Sequence, residues 1–181
     1  MSDSSWIMNR KSVRRFQDVP VSDEDLQKIL QAGMSAPSAV NQQLWEFIVV
    51  TDPQTLKSLG SELPYAKMLL HAHAAIVVCG NLAKTFNRNP KSLYWIMDCS
   101  AATENILLAV EMLGLGAVWT AVYPEAQRVE VVRRILNLPE QIIPLNVIPI
   151  GVPAGNEPAK ANWNPQFVHW HHWSTLYVLP A

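Results

Sequence analysis

Between Leu93 and Leu113 the sequence LYWIMDCSAATENILLAVEML reads as one long helix, apolar on most of its sides, that stops at Gly114 and Gly116. Such a helix must be buried, either in a core or between subunits. The chain of 181 residues, 49% hydrophobic and 16% charged, has enough apolar material for one packed core around it, so residues 1–181 are expected to form a single domain. The C-terminal tail makes a second demand. Trp163, Trp170 and Trp173 crowd it beside Phe167 and Tyr177, and a tail this aromatic has to pack on its own body or on a partner chain.

The other elements follow from local signals. Ser22 can cap a helix whose acidic first turn is Asp23-Glu24-Asp25. Leu26, Ile29, Leu30 and Gly33 continue it at helical spacing, and it ends near Ser35, before Pro37. Strands are expected at Glu46–Thr51, Ala74–Cys79, Ala117–Val122 and Asn146–Val152; Pro149 marks the last as an edge or a bulge. Asp52-Pro53 opens a helix, Tyr65–Leu70 suggests a short one, and Pro124–Leu136 reads as an amphipathic helix with proline in its first turn. Residues 81–92 read as a mobile polar connection. Without a βαβ rhythm, the fold class is α+β: one mixed sheet packed by helices.

Several function classes have no support. A formal net charge of -1 gives no reason to expect nucleic acid or an anionic membrane as partner. No apolar run reaches membrane-span length, and the start is polar, so a cytoplasmic protein is expected. Cys79 and Cys99 are not spaced as a zinc or redox pair and read as buried free thiols. His169, His171 and His172 have no Cys or carboxylate at ligand spacing, so no metal site is assigned; His71 and His73 read as structural. No nucleophile elbow, zinc helix or carboxylate pair stands out, which favours a reaction carried by a cofactor.

Two segments suit such a cofactor. Arg10, Lys11, Ser12, Arg14 and Arg15 crowd cations and a hydroxyl together. In an extended chain Arg10, Ser12 and Arg14 share a face, an arrangement that suits a phosphate. A solvated basic surface is the alternative. The loop Pro37-Ser38-Ala39-Val40-Asn41 has small side chains that let a flat ring approach, and an amide for a heterocycle edge; an ordinary loop is its alternative. Gly114-Leu115-Gly116 follows a helix and precedes a strand, the reverse of the dinucleotide-binding order, and reads as a helix stop.

In order, RKSVRRF, VPVSDEDLQKILQAGMSAPSAVNQQLWEFIVVTD, MDCSAATENILLAVEMLGLGAVWTAVYP, LNLPEQIIPLNVIPIGVPA and VHWHHW resemble the nitroreductase family over about Asn9 to Trp173. The resemblance implies a mixed, mainly antiparallel sheet in an intertwined homodimer with FMN at the subunit interface. The tail, from about residue 160 to 181, would pack on the partner subunit. It assigns the flavin phosphate and ribityl chain to Arg10, Lys11, Ser12 and Arg14. Pro37, Ser38, Ala39 and Asn41 would approach from the other subunit, and Trp119, Thr120 and Ala121 would present backbone to the ring. Lys67 would lie near the pyrimidine, and Lys160 would be the tail's basic residue. Asn162 stands where an arginine is common, and Val40 where a small residue is common. The implied activity is reduction of nitroaromatic, quinone or related acceptors by NADH or NADPH, by ping-pong hydride transfer through flavin N5, with no side chain needed as acid or base. The alternatives are a specialised member (a reductive dehalogenase, an ene-reductase or a flavin-fragmenting enzyme) and a flavin-binding protein without turnover.

Overall fold

The computed structural model describes residues 5–85, 92–159 and 162–174. Helix α1 (Ser5–Asn9) leads into the basic segment, followed by α2 (Asp23–Met34), β1 (Trp45–Val50), α3 (Pro53–Glu62), β2 (Ala74–Asn81) and α4 (Tyr94–Met112). Two short strands, β3 (Gly116–Ala117) and β4 (Thr120–Ala121), precede α5 (Ala126–Leu136) and β5 (Ile142–Gly151). The helix starts have the expected caps: Ser22 Oγ accepts from Asp25 N–H, and Asp52 from Thr55 N–H.

The sheet runs β1–β2–β5, with β3 and β4 both on the far side of β5, and every named pairing is antiparallel. One parallel bridge, Ser12 to Ala117, makes it mixed. Helices cover both faces. Ala74, Ile76 and Val78 of β2 face α2 and α4, whereas Ala75, Val77 and Cys79 face α3 and α5. Alternate residues of a strand point to opposite faces, so a strand covered twice is apolar throughout, as the Ala74–Cys79 run is. A buried chain of hydrogen bonds ties α4 to β5: Asn146 Nδ2 donates to Thr103 Oγ1 at 2.9 Å, and Thr103 Oγ1 donates to Cys99 O at 2.8 Å.

The structure corrects three expectations. β5 is central, not an edge. Pro149 stands opposite Ala75 of β2; on its other side it lies between the rungs Ala117–Ile150 and Thr120–Val147, where the ladder is interrupted and a missing N–H costs no bond. The bulge in the β2–β5 ladder falls elsewhere, between Val78 and Cys79. The expected strand Ala117–Val122 is two short strands, broken at Val118-Trp119. Pro124 precedes α5 instead of sitting in its first turn. Helix α4 is apolar on more sides than the single chain covers. Asp98, Cys99, Ala102, Ile106 and Val110 face the core, while Tyr94, Met97 and Met112 are exposed in the single chain. Among the described residues no helix is long and apolar enough to cross a membrane. Lys160, Tyr177 and residues 86–91 of the polar connection lie outside the described residues.

Candidate functional site

The basic segment is held as an extra edge of the sheet. Val13 N–H donates to Ala117 O at 2.9 Å, Gln17 N–H to Val152 O at 2.8 Å and Ala154 N–H to Arg15 O at 2.9 Å. Val13 is fully buried and sits against Gly116, where an added Cβ would come within 2.7 Å of it. Gly116 is therefore a site of close approach, and the helix stop belongs to Gly114, whose φ of 71° favours glycine. Extended geometry begins only at Ser12, because Arg10 N–H still donates to Trp6 O as the last bond of α1. The side chains diverge accordingly. Arg10 Nε reaches Glu104 at 3.3 Å and Lys11 Nζ reaches Glu111 at 3.0 Å, both on α4, while Arg14 points to the other side.

Arg14 enters a cleft of about 470 Å³ that also holds Lys67, Trp119, Thr120 and Ala121. Five of the residues singled out from sequence thus meet at one place. Thr120 is buried and anchored by its hydroxyl, which donates to Val147 O at 2.6 Å; Lys67 Nζ donates to Ser61 O at 2.8 Å. The break between β3 and β4 leaves Val118 and Trp119 outside the ladder, lining this cleft. Sequence reasoning missed Tyr65 and Arg128, which complete the wall. Arg128 stacks over the Tyr65 ring, 5.0 Å from its centroid, and donates to Ala121 O at 3.3 Å. On an amphipathic helix nothing in the sequence separates Arg128 from a solvated arginine.

Arg10, Lys11, Ser12 and the loop residues Pro37, Ser38, Ala39 and Asn41 do not line this cleft. The loop is nonetheless a built structure. Val40, Asn41 and Gln43 have left-handed φ of 47°, 57° and 49°, a region costly for a β-branched residue such as Val40. Two bonds to side chains help hold it: Gln43 N–H donates to Ser38 Oγ at 2.9 Å, and Ala39 N–H donates to Asp98 Oδ1 at 3.0 Å. Asp98 is buried and its Oδ2 has no hydrogen-bond partner among the described residues. Burial pushes its carboxyl above the usual aspartate range, and the Ala39 bond offsets this in part. A carboxylate on the core-facing side of an apolar helix, in line with Cys99, Ala102 and Ile106, was the signal that could have found it.

The tail is the remaining part. Trp163, Phe167 and Trp173 are 66%, 81% and 85% exposed in the single chain. The His169 ring stacks on Trp173, with 4.3 Å between centroids. Among the described residues no group of three His, Cys, Asp or Glu side chains is placed to hold a metal ion. A larger hollow of about 770 Å³, lined by residues such as Phe16, Lys57 and His71, contains none of the residues assigned to the cofactor from sequence. The smaller cleft is the candidate site because those residues converge there.

The model of the nitroreductase family matches residues 7–63 and 58–152. The chain belongs to the nitroreductase family. A nitroreductase-family relative from Archaeoglobus fulgidus, named "Putative NADH dehydrogenase/NAD(P)H nitroreductase", is 43% identical over 170 residues, covering 92% of this chain and 96% of its own. A crystal structure bearing the same name, from Parabacteroides distasonis, superposes with a TM-score of 0.88 at 49% identity, covering 93% of this chain and 97% of the other. An FMN-dependent nitroreductase from Clostridium difficile superposes with a TM-score of 0.84 at 29% identity, covering 93% and 98%. The nitroreductase fold therefore spans the described chain from α1 through β5, with the cleft on the β3–β4 side of its sheet.

Proposed function

We propose that this chain is an FMN-dependent oxidoreductase that uses NADH or NADPH to reduce nitroaromatic, quinone or related acceptors, as a cytoplasmic homodimer with FMN at the subunit interface. The observation that carries the reading is the convergence of Arg14, Lys67, Trp119, Thr120 and Ala121 on one cleft. The cleft fits a flavin ring. Its volume is in the range of small-ligand sites, and its lining has cations but no carboxylate. Arg14 and Lys67 would favour negative charge on the ring, a preorganised electrostatic role, and the backbone of Trp119, Thr120 and Ala121 would border it. Arg10, Lys11, Ser12 and Arg14 would take the phosphate and ribityl chain, with Lys160 as the tail's contribution. Pro37, Ser38, Ala39 and Asn41 would come from the other subunit. The chemistry such a group supplies when bound is two-electron exchange by hydride transfer at N5, first from NAD(P)H and then to the acceptor, in a ping-pong cycle.

The dimer is supported by what the single chain leaves uncovered. Tyr94, Met97 and Met112 of α4 and the tail tryptophans form more exposed apolar surface than a lone domain of this size carries comfortably. The loop at Val40, strained, exposed and outside the lining of its own chain's cleft, would be free to meet the cleft of another subunit. Steady-state kinetics against a nitroaromatic and a quinone test the cycle. Parallel double-reciprocal lines for donor against acceptor are expected; intersecting lines contradict it.

A further inference from the structure

Six of the described cations face a carboxylate, as Arg10 does Glu104 and Lys11 does Glu111. Arg14, Lys67 and Arg128 face none among the described residues, and all three line the same cleft, which itself has no acidic residue. In a chain of net charge -1 this leaves a local excess of positive charge facing one hollow. Such an excess attracts an anionic ligand and raises its local concentration.

The three cations differ in how they are held. Lys67 is already bonded to Ser61 O, and Arg14 Nη1 donates to Ser12 O at 3.5 Å, its one partner among the described residues. Arg128 is fixed on two sides, by the face of Tyr65 and by Ala121 O. One N–H of its guanidinium is engaged, and the rest of the planar fork has no other partner among the described residues. A preorganised fork suits a carboxylate, which it can grip through two parallel bonds; a lysine offers only a point charge. Tyr65 is exposed at the rim and supplies an aromatic face next to that fork.

We propose that Arg128 determines acceptor specificity: it receives a carboxylate carried on the aromatic ring of the molecule reduced in this cleft. The inference rests on the functional reading above and names the substrate class of that site as aromatic acceptors with an anionic substituent. The test compares para-nitrobenzoate with para-nitrobenzamide, which share the nitro group and shape and differ in charge. With the flavin-loaded enzyme at fixed ionic strength, Arg128→Gln should raise KM for the nitrobenzoate by about tenfold, the loss of one charge-assisted contact. The KM for the amide should rise far less, so the ratio of the two KM values shifts by nearly that factor. Glutamine keeps a donor for Ala121 O and a good helix former in α5, and Arg128→Lys should recover part of the loss. A second readout needs no turnover: benzoate titrated against the protein and followed by tryptophan fluorescence should lose affinity by the same factor in Arg128→Gln. Equal losses for both acceptors, or unchanged nitrobenzoate KM and benzoate affinity, would overturn the proposal. Wild-type protein that reduces neither acceptor would overturn the functional reading instead, and the benzoate titration would still decide the role of Arg128.

Discussion

Replacing Gly116 by alanine separates the two glycines of Gly-Leu-Gly and tests whether the basic segment depends on its seat against β3. The new Cβ would lie 2.7 Å from Val13 Cβ and Cγ1 and 2.9 Å from Cγ2. Ordinary carbon contacts need about 3.5–4.0 Å, so Val13 must retreat by roughly 1 Å. Val13 is fully buried, and its N–H is bonded to Ala117 O at 2.9 Å, so retreat of the segment stretches that bond beyond hydrogen-bonding range. Overpacking of this kind costs about 1–3 kcal/mol and the lost bond about 0.5–1.5 kcal/mol, so a destabilisation of about 2–4 kcal/mol is expected. Urea unfolding at matched protein concentration measures it, and FMN titration of the same protein should show weakened binding, because Arg10, Ser12 and Arg14 move with Val13. Gly114→Ala is the control: nothing lies within 4 Å of its added Cβ, and its φ of 71° alone is at issue. That change should cost about 1–2 kcal/mol and leave FMN affinity intact. If Gly116→Ala matched wild type in both stability and FMN affinity, the seating of the segment against β3 would not be what positions the cations proposed to bind FMN.

Other consequences are equally direct. Arg10→Ala should weaken FMN binding roughly tenfold, the low end for a charged contact because Glu104 shares the guanidinium; Arg15→Ala, at an exposed pair with Glu157, should weaken it far less, and equal affinities would make the basic run a solvated surface. Burial pushes the Cys79 thiol up to about 12 and the Cys99 thiol higher still, so a thiol reagent at neutral pH should label neither until the protein is unfolded. The Asp98 carboxyl is raised in the folded state, so ionising it costs stability. Wild type should lose stability relative to Asp98→Asn as pH rises from the ordinary value of 3.8 through the raised one, and a difference that does not change with pH would contradict this.

The elements were legible where local rules decide them. Ser22 and Asp52 cap helices where the sequence puts caps, and the apolar run at Ala74 is a strand covered on both faces. The misreadings came from tertiary pairing. Pro149 looks like an edge residue because a proline costs a ladder bond, and only the gap between β3 and β4 explains its place in the central strand. Gly116 looks like a helix stop because Val13, which needs its missing Cβ, is distant in sequence. The site was partly legible. Arg14, Lys67 and the Trp119–Ala121 backbone meet in one cleft. Arg128 and Tyr65 were invisible, since only the fold of α5 against the Tyr65 turn brings them there. The Asp98 contact to Ala39 likewise joins residues far apart in the chain.

In the proposed function a bound flavin takes electrons from a nicotinamide donor and gives them to a small acceptor in this cleft. The most direct measurement is an anaerobic titration of the purified, FMN-loaded protein, first with NADPH or NADH and then with a nitroaromatic or quinone, followed by the visible absorbance of the flavin. Bleaching by the donor and full recovery on adding the acceptor is the predicted result. A protein that binds no FMN, or a bound flavin that neither donor bleaches, would contradict it.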